Sequence, residues 1–147
     1  MRKPKILISN CLLGIPCRYD GKSKLWEDLD AIEEKYELIG VCPEELGGLE
    51  TPREKAEIYL GRVYTEDGFD VTYEYEYGAD IALNIAKGHC VKCAVFKDRS
   101  PSCGCGQIYN GDFDGTLVEG DGVTTTLFKA NGIEVIPASQ AKERLLK

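Results

Sequence analysis

The residues of this 147-residue chain that most clearly suggest chemistry are its seven cysteines. Two of them lie one residue apart in the segment SPSCGCG at 100–106, and another pair lies in CVKC at 90–93. Disulfides are rare in reducing compartments, so intracellular thiols are expected to be core residues, metal ligands or catalysts. The single histidine, His89, argues against a Cys–His mechanism or a site with several imidazole ligands.

Composition narrows the class of protein. Hydrophobic residues make up 43% and charged residues 29% of the chain, and the net charge is −7. An acidic surface repels polyanions, which disfavours a nucleic-acid-binding module. The apolar stretch Ile6–Ile8 is shorter than the ~7–15 residues of a signal-peptide core, and no apolar run approaches the ~20 residues of a membrane span. We therefore expect one cytoplasmic domain over residues 1–147.

Short apolar runs alternate with helical patterns along the chain. Strands are predicted at 5–9, 38–42, 91–96 and 133–137. Helices are predicted at 26–37, 70–87, 123–131 and 139–147, and a β-hairpin is predicted within 56–68. The Gly-rich segment 100–122 has no clear periodicity, which predicts a long functional loop.

This alternation predicts an α/β fold: a mainly parallel sheet flanked by helices on both faces, a Rossmann- or flavodoxin-like three-layer arrangement with a small β-hairpin excursion. Ligands of such sheets bind beyond the carboxyl ends of the strands. Cys11 follows the first predicted strand, Cys42 ends the second, and Cys103 lies in the loop after the third. The three thiols are therefore expected at one edge of the sheet.

Thiols supplied from separate loops suit an iron–sulfur cluster, and zinc is the alternative. A structural zinc site takes four Cys or His ligands, and the candidate set, which would give a structural or interaction module, is Cys90, Cys93, Cys103 and Cys105. Four cysteines complete a [4Fe–4S] cluster for electron transfer, whereas three leave one iron open as a Lewis acid. The spacing of the cysteines does not choose between three ligands and four.

Several longer segments resemble the DUF523 family of small bacterial and archaeal proteins. They cover nearly the whole chain in order: CLLGIPCRYDG, VCPEELGGLETPRE, GFDVT, YGA, RSPSCGCGQIYNGDFDGTLVEGDGVTTTLF and NGIEV. Members of this family are identified as thiouracil desulfidases, non-redox enzymes with a [4Fe–4S] cluster held by three cysteines. The resemblance implies a small-molecule substrate, a thiolated nucleobase or nucleoside, whose sulfur binds the open iron and leaves as hydrosulfide.

The resemblance also implies a set of cluster ligands. The family's cysteine positions fall on Cys11, Cys17, Cys42 and Cys103. We expect Cys11, Cys42 and Cys103 to be the ligands because each lies near the end of a different strand, and Cys17 is the rival. The cysteines outside the family pattern are Cys90, Cys93 and Cys105.

Roles for other residues follow from the same resemblance. Glu44, in the Cys-Pro-Glu motif, is expected to handle protons, and Ser100, which opens Ser-Pro-Ser-Cys, is expected to orient water or substrate. Weaker candidates for the substrate pocket are Tyr19, Asp20, Arg53 and Tyr109.

Overall fold

The structure is a computed structural model, and it describes residues 3–21 and 26–146. Its strands are, in chain order, β1 (Lys5–Ser9), β2 (Glu37–Val41), β3 (Ala56–Tyr59), β4 (Arg62–Thr65), β5 (Cys93–Phe96), β6 (Gln107–Tyr109), β7 (Leu117–Glu119) and β8 (Glu134–Pro137). Its helices are α1 (Leu29–Lys35), α2 (Pro43–Leu46), α3 (Thr72–Gly88), α4 (Val123–Ala130) and α5 (Ala138–Leu145), and a 3₁₀ helix covers Asn10–Leu13.

Four of these strands form one parallel sheet in the order β2-β1-β5-β8, which confirms the predicted parallel sheet. The chain adds β2 on one side of β1 and later adds β5 and β8 on the other side. The strand order therefore reverses between β1 and β5. A crevice that can take a ligand forms beyond the carboxyl ends of the strands at such a switch point.

Helices cover both faces of the sheet, as the sequence predicts. On β1, Leu7 belongs to a cluster with residues of α3 and α4, whereas Ile6 and Ile8 belong to a cluster with Ile32 of α1 and Ala141 of α5. All three β1 side chains are at most 2% exposed. Successive side chains of a strand point to opposite faces, so this continuous apolar run holds both helical layers against the sheet.

Two hairpins lie outside the central sheet. The strands β3 and β4 form the hairpin that the sequence predicts. The strands β6 and β7 form a second hairpin inside segment 100–122, where the sequence predicts only a long loop. The periodicity is hidden because each strand has three residues and Ile108 is the one buried residue in either strand.

The remaining differences concern short elements and their ends. Helix α1 begins at Leu29, not at Trp26, and β5 begins at Cys93, not at Val91. The single turn α2, directly after Cys42, is too short for its periodicity to be recognised in the sequence. Among the described helices, α3 is the longest at 17 residues, and none has both the length and the apolar character of a bilayer span.

Candidate active site

A cavity of about 700 Å³ lies at the carboxyl edge of the sheet, at the switch between β1 and β5. Ser9 is the last residue of β1, and Lys97 comes directly after β5. A hydrogen bond joins these two strand ends, because the Ser9 hydroxyl accepts the Lys97 N–H at 3.0 Å. Cys11, Cys42 and Cys103 all line the cavity, as their positions after three parallel strands predict. The rival thiol, Cys17, lines it too.

All four of these thiols are buried, with exposed fractions of at most 9%. Cys17 lies beside both Cys11 and Cys42. The sulfur atoms of Cys17 and Cys42 and one carboxylate oxygen of Glu45 all lie within 4.8 Å of one another. Burial raises the pKa of the Cys103 thiol to about 12, so a bound cation has to displace its proton.

The loop that carries Cys103 is held on the first turn of α4. The carbonyl oxygen of Ser102 accepts the Thr124 N–H at 2.9 Å, and the carbonyl oxygen of Cys103 accepts the Thr125 hydroxyl at 2.9 Å. The Ser100 hydroxyl oxygen accepts the backbone N–H groups of Ser102 and Cys103, both at 3.1 Å. Ser100 therefore shapes the turn that presents the Cys103 sulfur to the cavity.

Helix α2, which begins directly after Cys42, is positioned by a close contact with α3. A Cβ atom on Gly47 would lie 1.9 Å from the Glu74 carbonyl oxygen, and one on Gly78 would lie 1.8 Å from the Pro43 carbonyl oxygen. The two backbones can approach this closely only because both positions lack a side chain. This contact fixes Glu44, on α2, at the cavity wall.

Glu44 is held from both of its carboxylate oxygens. Oε1 accepts a hydrogen bond from Nε of Arg53 at 3.0 Å and lies 3.0 Å from Nη2 of the same guanidinium. Oε2 accepts the Ser102 hydroxyl at 2.8 Å and the Ser100 hydroxyl at 3.4 Å. The two hydroxyl oxygens are 2.9 Å apart, so Glu44, Ser100 and Ser102 form one hydrogen-bonded group beside Cys103.

Arg53 is the anchor of this group. Its other acceptors are the Cys17 carbonyl at 2.9 Å, the Glu50 carbonyl at 3.1 Å and the Thr51 hydroxyl at 2.8 Å. Burial opposes its charge, but the neighbouring Glu44 carboxylate outweighs this and raises the pKa of Arg53. A guanidinium with so many acceptors ties the loop of Cys17 to α2 and to Glu44.

Three of the four further candidates for the substrate pocket line the cavity, and Asp20 does not. Tyr19, Arg53 and Tyr109 line the cavity. Asp20 is absent from the lining among the described residues; it is paired with Arg18 at 3.7 Å, and Arg18 lines the cavity.

Tyr75 and Lys55 are among the lining residues that sequence reasoning missed. Tyr75 lies on the buried side of α3, where it resembles a core residue, and burial together with the Glu44 carboxylate raises its pKa. Lys55 lies two residues after Arg53, and no motif distinguishes it from a surface lysine.

The remaining cysteines do not form the zinc set that the sequence offers. Cys90 is exposed, and Cys93 begins β5, whereas Cys103 lies beyond the other end of that strand. Cys105 donates to the Val135 carbonyl at 3.6 Å. A strand of four residues spans ~13 Å, far more than one zinc ion can bridge. Across residues 3–21 and 26–146, the ligand atoms of these four cysteines do not converge, and the zinc interpretation is wrong.

The cavity offers the donor set of an iron–sulfur cluster. Its four buried thiols are soft ligands, and His89, the one imidazole of the chain, lies beyond the far end of α3. The thiols come from three segments, which follow β1, β2 and β5, around a cavity large enough for a bulky inorganic group. The residues present therefore fit a thiolate-bound cluster.

The fold and this crevice define an α/β protein with a cysteine-built cofactor site. The sequence profile of the 2-thiouracil desulfurase family matches residues 6–140, and the chain belongs to that family. The solved structure of a [4Fe-4S]-dependent thiouracil desulfidase, TudS (DUF523), is 45% identical to this chain with a TM-score of 0.90; the match covers 98% of this chain and 97% of that one. The uncharacterized protein YbbK of Bacillus subtilis (strain 168) is 40% identical over 150 residues, which are 95% of this chain and 99% of YbbK. The resemblance to DUF523 is confirmed.

Proposed function

We propose that the protein is a [4Fe–4S]-dependent thiouracil desulfidase, which replaces the thiocarbonyl sulfur of a thiolated pyrimidine by oxygen. Its membership of the 2-thiouracil desulfurase family and its 45% sequence identity to TudS support this activity and this cofactor. The observation that carries the proposal is that one cavity joins four buried thiols to the hydrogen-bonded pair of Glu44 and Ser102. Water supplies the oxygen: the C=S bond breaks, a C=O bond forms, and uracil, hydrosulfide and a proton result without net electron transfer.

Cys11, Cys42 and Cys103 are the proposed ligands of the cluster. Each follows a different strand of the parallel sheet, so three separate segments of the chain supply the three thiols to the cavity. Held by these three thiolates, a [4Fe–4S] cluster would have one iron without a protein ligand and would supply a Lewis acid for the thiocarbonyl sulfur. In this proposal Cys17 stays a free thiol beside the ligands.

Glu44 is proposed to accept the proton of the attacking water and to return it to the leaving sulfur. Arg53 occupies its Oε1 atom, so Oε2, which faces the serine hydroxyls, is the side available for proton transfer. Ser100 and Ser102 can orient the water because a hydroxyl both donates and accepts hydrogen bonds. A carboxylate placed in this way contributes roughly 10²–10⁴-fold to the rate.

The thiolated pyrimidine is proposed to enter as a small molecule, a nucleobase or a nucleoside. Tyr19 and Tyr109 provide aromatic surface on the cavity wall against which a planar ring can pack. The net charge of −7 disfavours intact RNA as the substrate.

Residues from Ser9 to Ser139 contribute to the same cavity, which supports a single domain over 1–147. None of the seven cysteines, all of which lie within the described residues, is in a disulfide, which suits a cytoplasmic location.

A four-cysteine electron-transfer protein is the second candidate. The position of Cys17 beside Cys11 and Cys42 favours it, since four buried thiols are at hand. It requires reversible reduction of the cluster and no release of sulfide from thiouracil. The desulfidase is preferred because the Glu44 group, which electron transfer does not need, lies in the same cavity.

The test is anaerobic reconstitution of the protein followed by an assay for uracil and sulfide from 2-thiouracil. We expect turnover in the wild type and at least about a 100-fold loss of kcat in Glu44→Gln, because a neutral amide cannot accept the proton. Glu50→Gln is the matched control, since Glu50 is exposed on a neighbouring turn and does not line the cavity. A fully reconstituted wild type that releases no sulfide would rule out the desulfidase.

A further inference from the structure

Lys55 occupies a defined position on the cavity wall, between an aromatic ring and a buried carboxylate. Its Nζ atom lies 5.3 Å from the centroid of the Tyr109 ring and 3.9 Å from Oε2 of Glu57. Lys55 and Tyr109 line the same cavity as Glu44 and Cys103. Two separate elements, the segment before β3 and the end of β6, thus meet at this ammonium group.

Glu57 is an unusual partner because its side chain is only 1% exposed. Oε1 accepts the N–H groups of Gly111 at 2.9 Å and Phe113 at 3.2 Å. Oε2 has no hydrogen-bond partner among the described residues. A buried carboxylate is costly unless it is hydrogen-bonded and paired, so the ammonium of Lys55 is the compensation available to Oε2. Glu57 therefore fixes the position of Lys55.

The N–H donors of the Lys55 ammonium are not used in hydrogen bonds to the described residues. In the part of the chain that the structure describes, it makes no hydrogen bond to protein, since its contacts are the Glu57 ion pair at 3.9 Å and the Tyr109 ring. Arg53, two residues earlier, is the opposite case, because its guanidinium donates to Glu44, the Cys17 and Glu50 carbonyls and Thr51. Lys55 is thus a positioned cation on this wall with hydrogens left for a ligand.

We propose that Lys55 binds the ring carbonyl oxygen of the substrate that is not exchanged. This inference rests on the proposed function, because it assumes a thiolated pyrimidine in the cavity. 2-Thiouracil carries one carbonyl oxygen besides its thiocarbonyl group, and a carbonyl oxygen is a hydrogen-bond acceptor that suits an ammonium donor. The contact fixes the register of the ring, so that the sulfur and not the oxygen faces the thiols. Lys55 is then a specificity determinant, and Glu57 is a positioning residue that acts through it.

The test compares 2-thiouracil, which carries this carbonyl oxygen, with pyrimidine-2-thione, which does not. It uses cluster-loaded protein prepared without air. Lys55→Met is expected to raise KM for 2-thiouracil, and the calorimetric Kd for uracil, by roughly 10- to 100-fold, the value of a hydrogen bond from a charged donor. The value of kcat should change much less, because the contact is present in substrate and transition state alike. Pyrimidine-2-thione lacks the second carbonyl, so its affinity, measured as KM or as an inhibition constant, should be the same in wild type and variant.

Two further variants keep the test decisive. Lys55→Met together with Glu57→Gln removes both charges, so no unpaired carboxylate is left buried, and it should show the same increase in KM. Glu57→Gln alone should raise KM for 2-thiouracil by a smaller factor than Lys55→Met does, with a smaller change in kcat than in KM. Unchanged uracil binding in the Lys55 variants overturns the inference. An equal loss of affinity for 2-thiouracil and for pyrimidine-2-thione overturns it as well. A wild type that binds uracil but releases no sulfide contradicts the proposed activity and leaves the Lys55 comparison measurable by calorimetry.

Discussion

The Ser102 hydroxyl donates to Oε2 of Glu44 at 2.8 Å, across 58 positions of sequence. Ser100, the serine that the sequence favours for a role in the reaction, is 3.4 Å from the same oxygen and accepts two backbone N–H groups of its own turn. The two serines therefore have different main tasks. Ser102 connects the carboxylate to the cavity, and Ser100 shapes the turn that carries Cys103.

The two serines should respond differently to alanine. Ser102→Ala removes the donor to Glu44 but leaves the turn intact, so we expect normal iron content and a lower kcat. Ser100→Ala leaves two N–H groups without their acceptor, which costs about 1–3 kcal/mol and loosens the Cys103 loop, so iron content should fall as well. Iron per chain and kcat, measured on the same preparations, separate the two effects. Equal iron loss in both variants would contradict this division.

A second prediction concerns the contact between α2 and α3. Gly78→Ala places a methyl group where the Pro43 carbonyl oxygen already lies, at 1.8 Å, so the helices have to separate. Overpacking of this kind costs about 1–3 kcal/mol, and here it also moves Glu44 and Cys42. We expect a lower urea midpoint and reduced activity.

Gly88, at the end of the same helix, provides the matched control. A Cβ atom there meets nothing within 4 Å, so Gly88→Ala should be neutral or stabilising by up to about 1 kcal/mol. If Gly78→Ala proved as stable as Gly88→Ala, the close backbone contact would not be what positions α2.

The convergence of Cys11, Cys42 and Cys103 could be predicted because it depends only on local patterns. Short apolar runs separated by helices predict parallel strands, and parallel strands share one carboxyl edge. The residue that follows each strand is then placed without knowledge of any side-chain contact.

The hydrogen-bonded group around Glu44 could not be predicted in this way. Its geometry depends on how closely α2 approaches α3, and hence on Gly47 and Gly78, whose spacing in the sequence gives no sign of contact. Tyr75 and Lys55 were missed for the same reason, since each looks ordinary until the cavity is formed. Packing between distant segments, and not local preference, decides which side chains share the site.

The start of α3 gives a prediction of pH dependence. Hydrogen bonding to Thr72 and then to Arg62 lowers the pKa of Asp70 from 3.8 to about 2. Because the pKa is depressed in the folded state, the carboxylate stabilises the fold above its ordinary pKa, and this contribution is lost as the pH falls toward 2. Asp70→Asn should therefore have a lower urea midpoint than the wild type at pH 7, and the difference should shrink between pH 4 and pH 2. A difference that stays constant over that range would exclude this origin.

The set of cluster ligands can be tested by replacing one cysteine at a time. Serine variants of the three proposed ligands, Cys11, Cys42 and Cys103, should each lose most of their iron after anaerobic reconstitution, because an open cluster with two thiolates is poorly held. Cys17→Ser should retain about four iron atoms per chain and its activity, since Cys17 is not among the proposed ligands. Cys93→Ser is the matched control, because Cys93 lies at the opposite end of β5. Iron, acid-labile sulfide and sulfide release from 2-thiouracil are measured together. A Cys17→Ser variant without iron would mean that Cys17 is a ligand. If the other three variants also lost their iron, four thiols would hold the cluster, which leaves no open iron and favours electron transfer over desulfidation; if one of the three kept its iron, Cys17 would take that ligand's place.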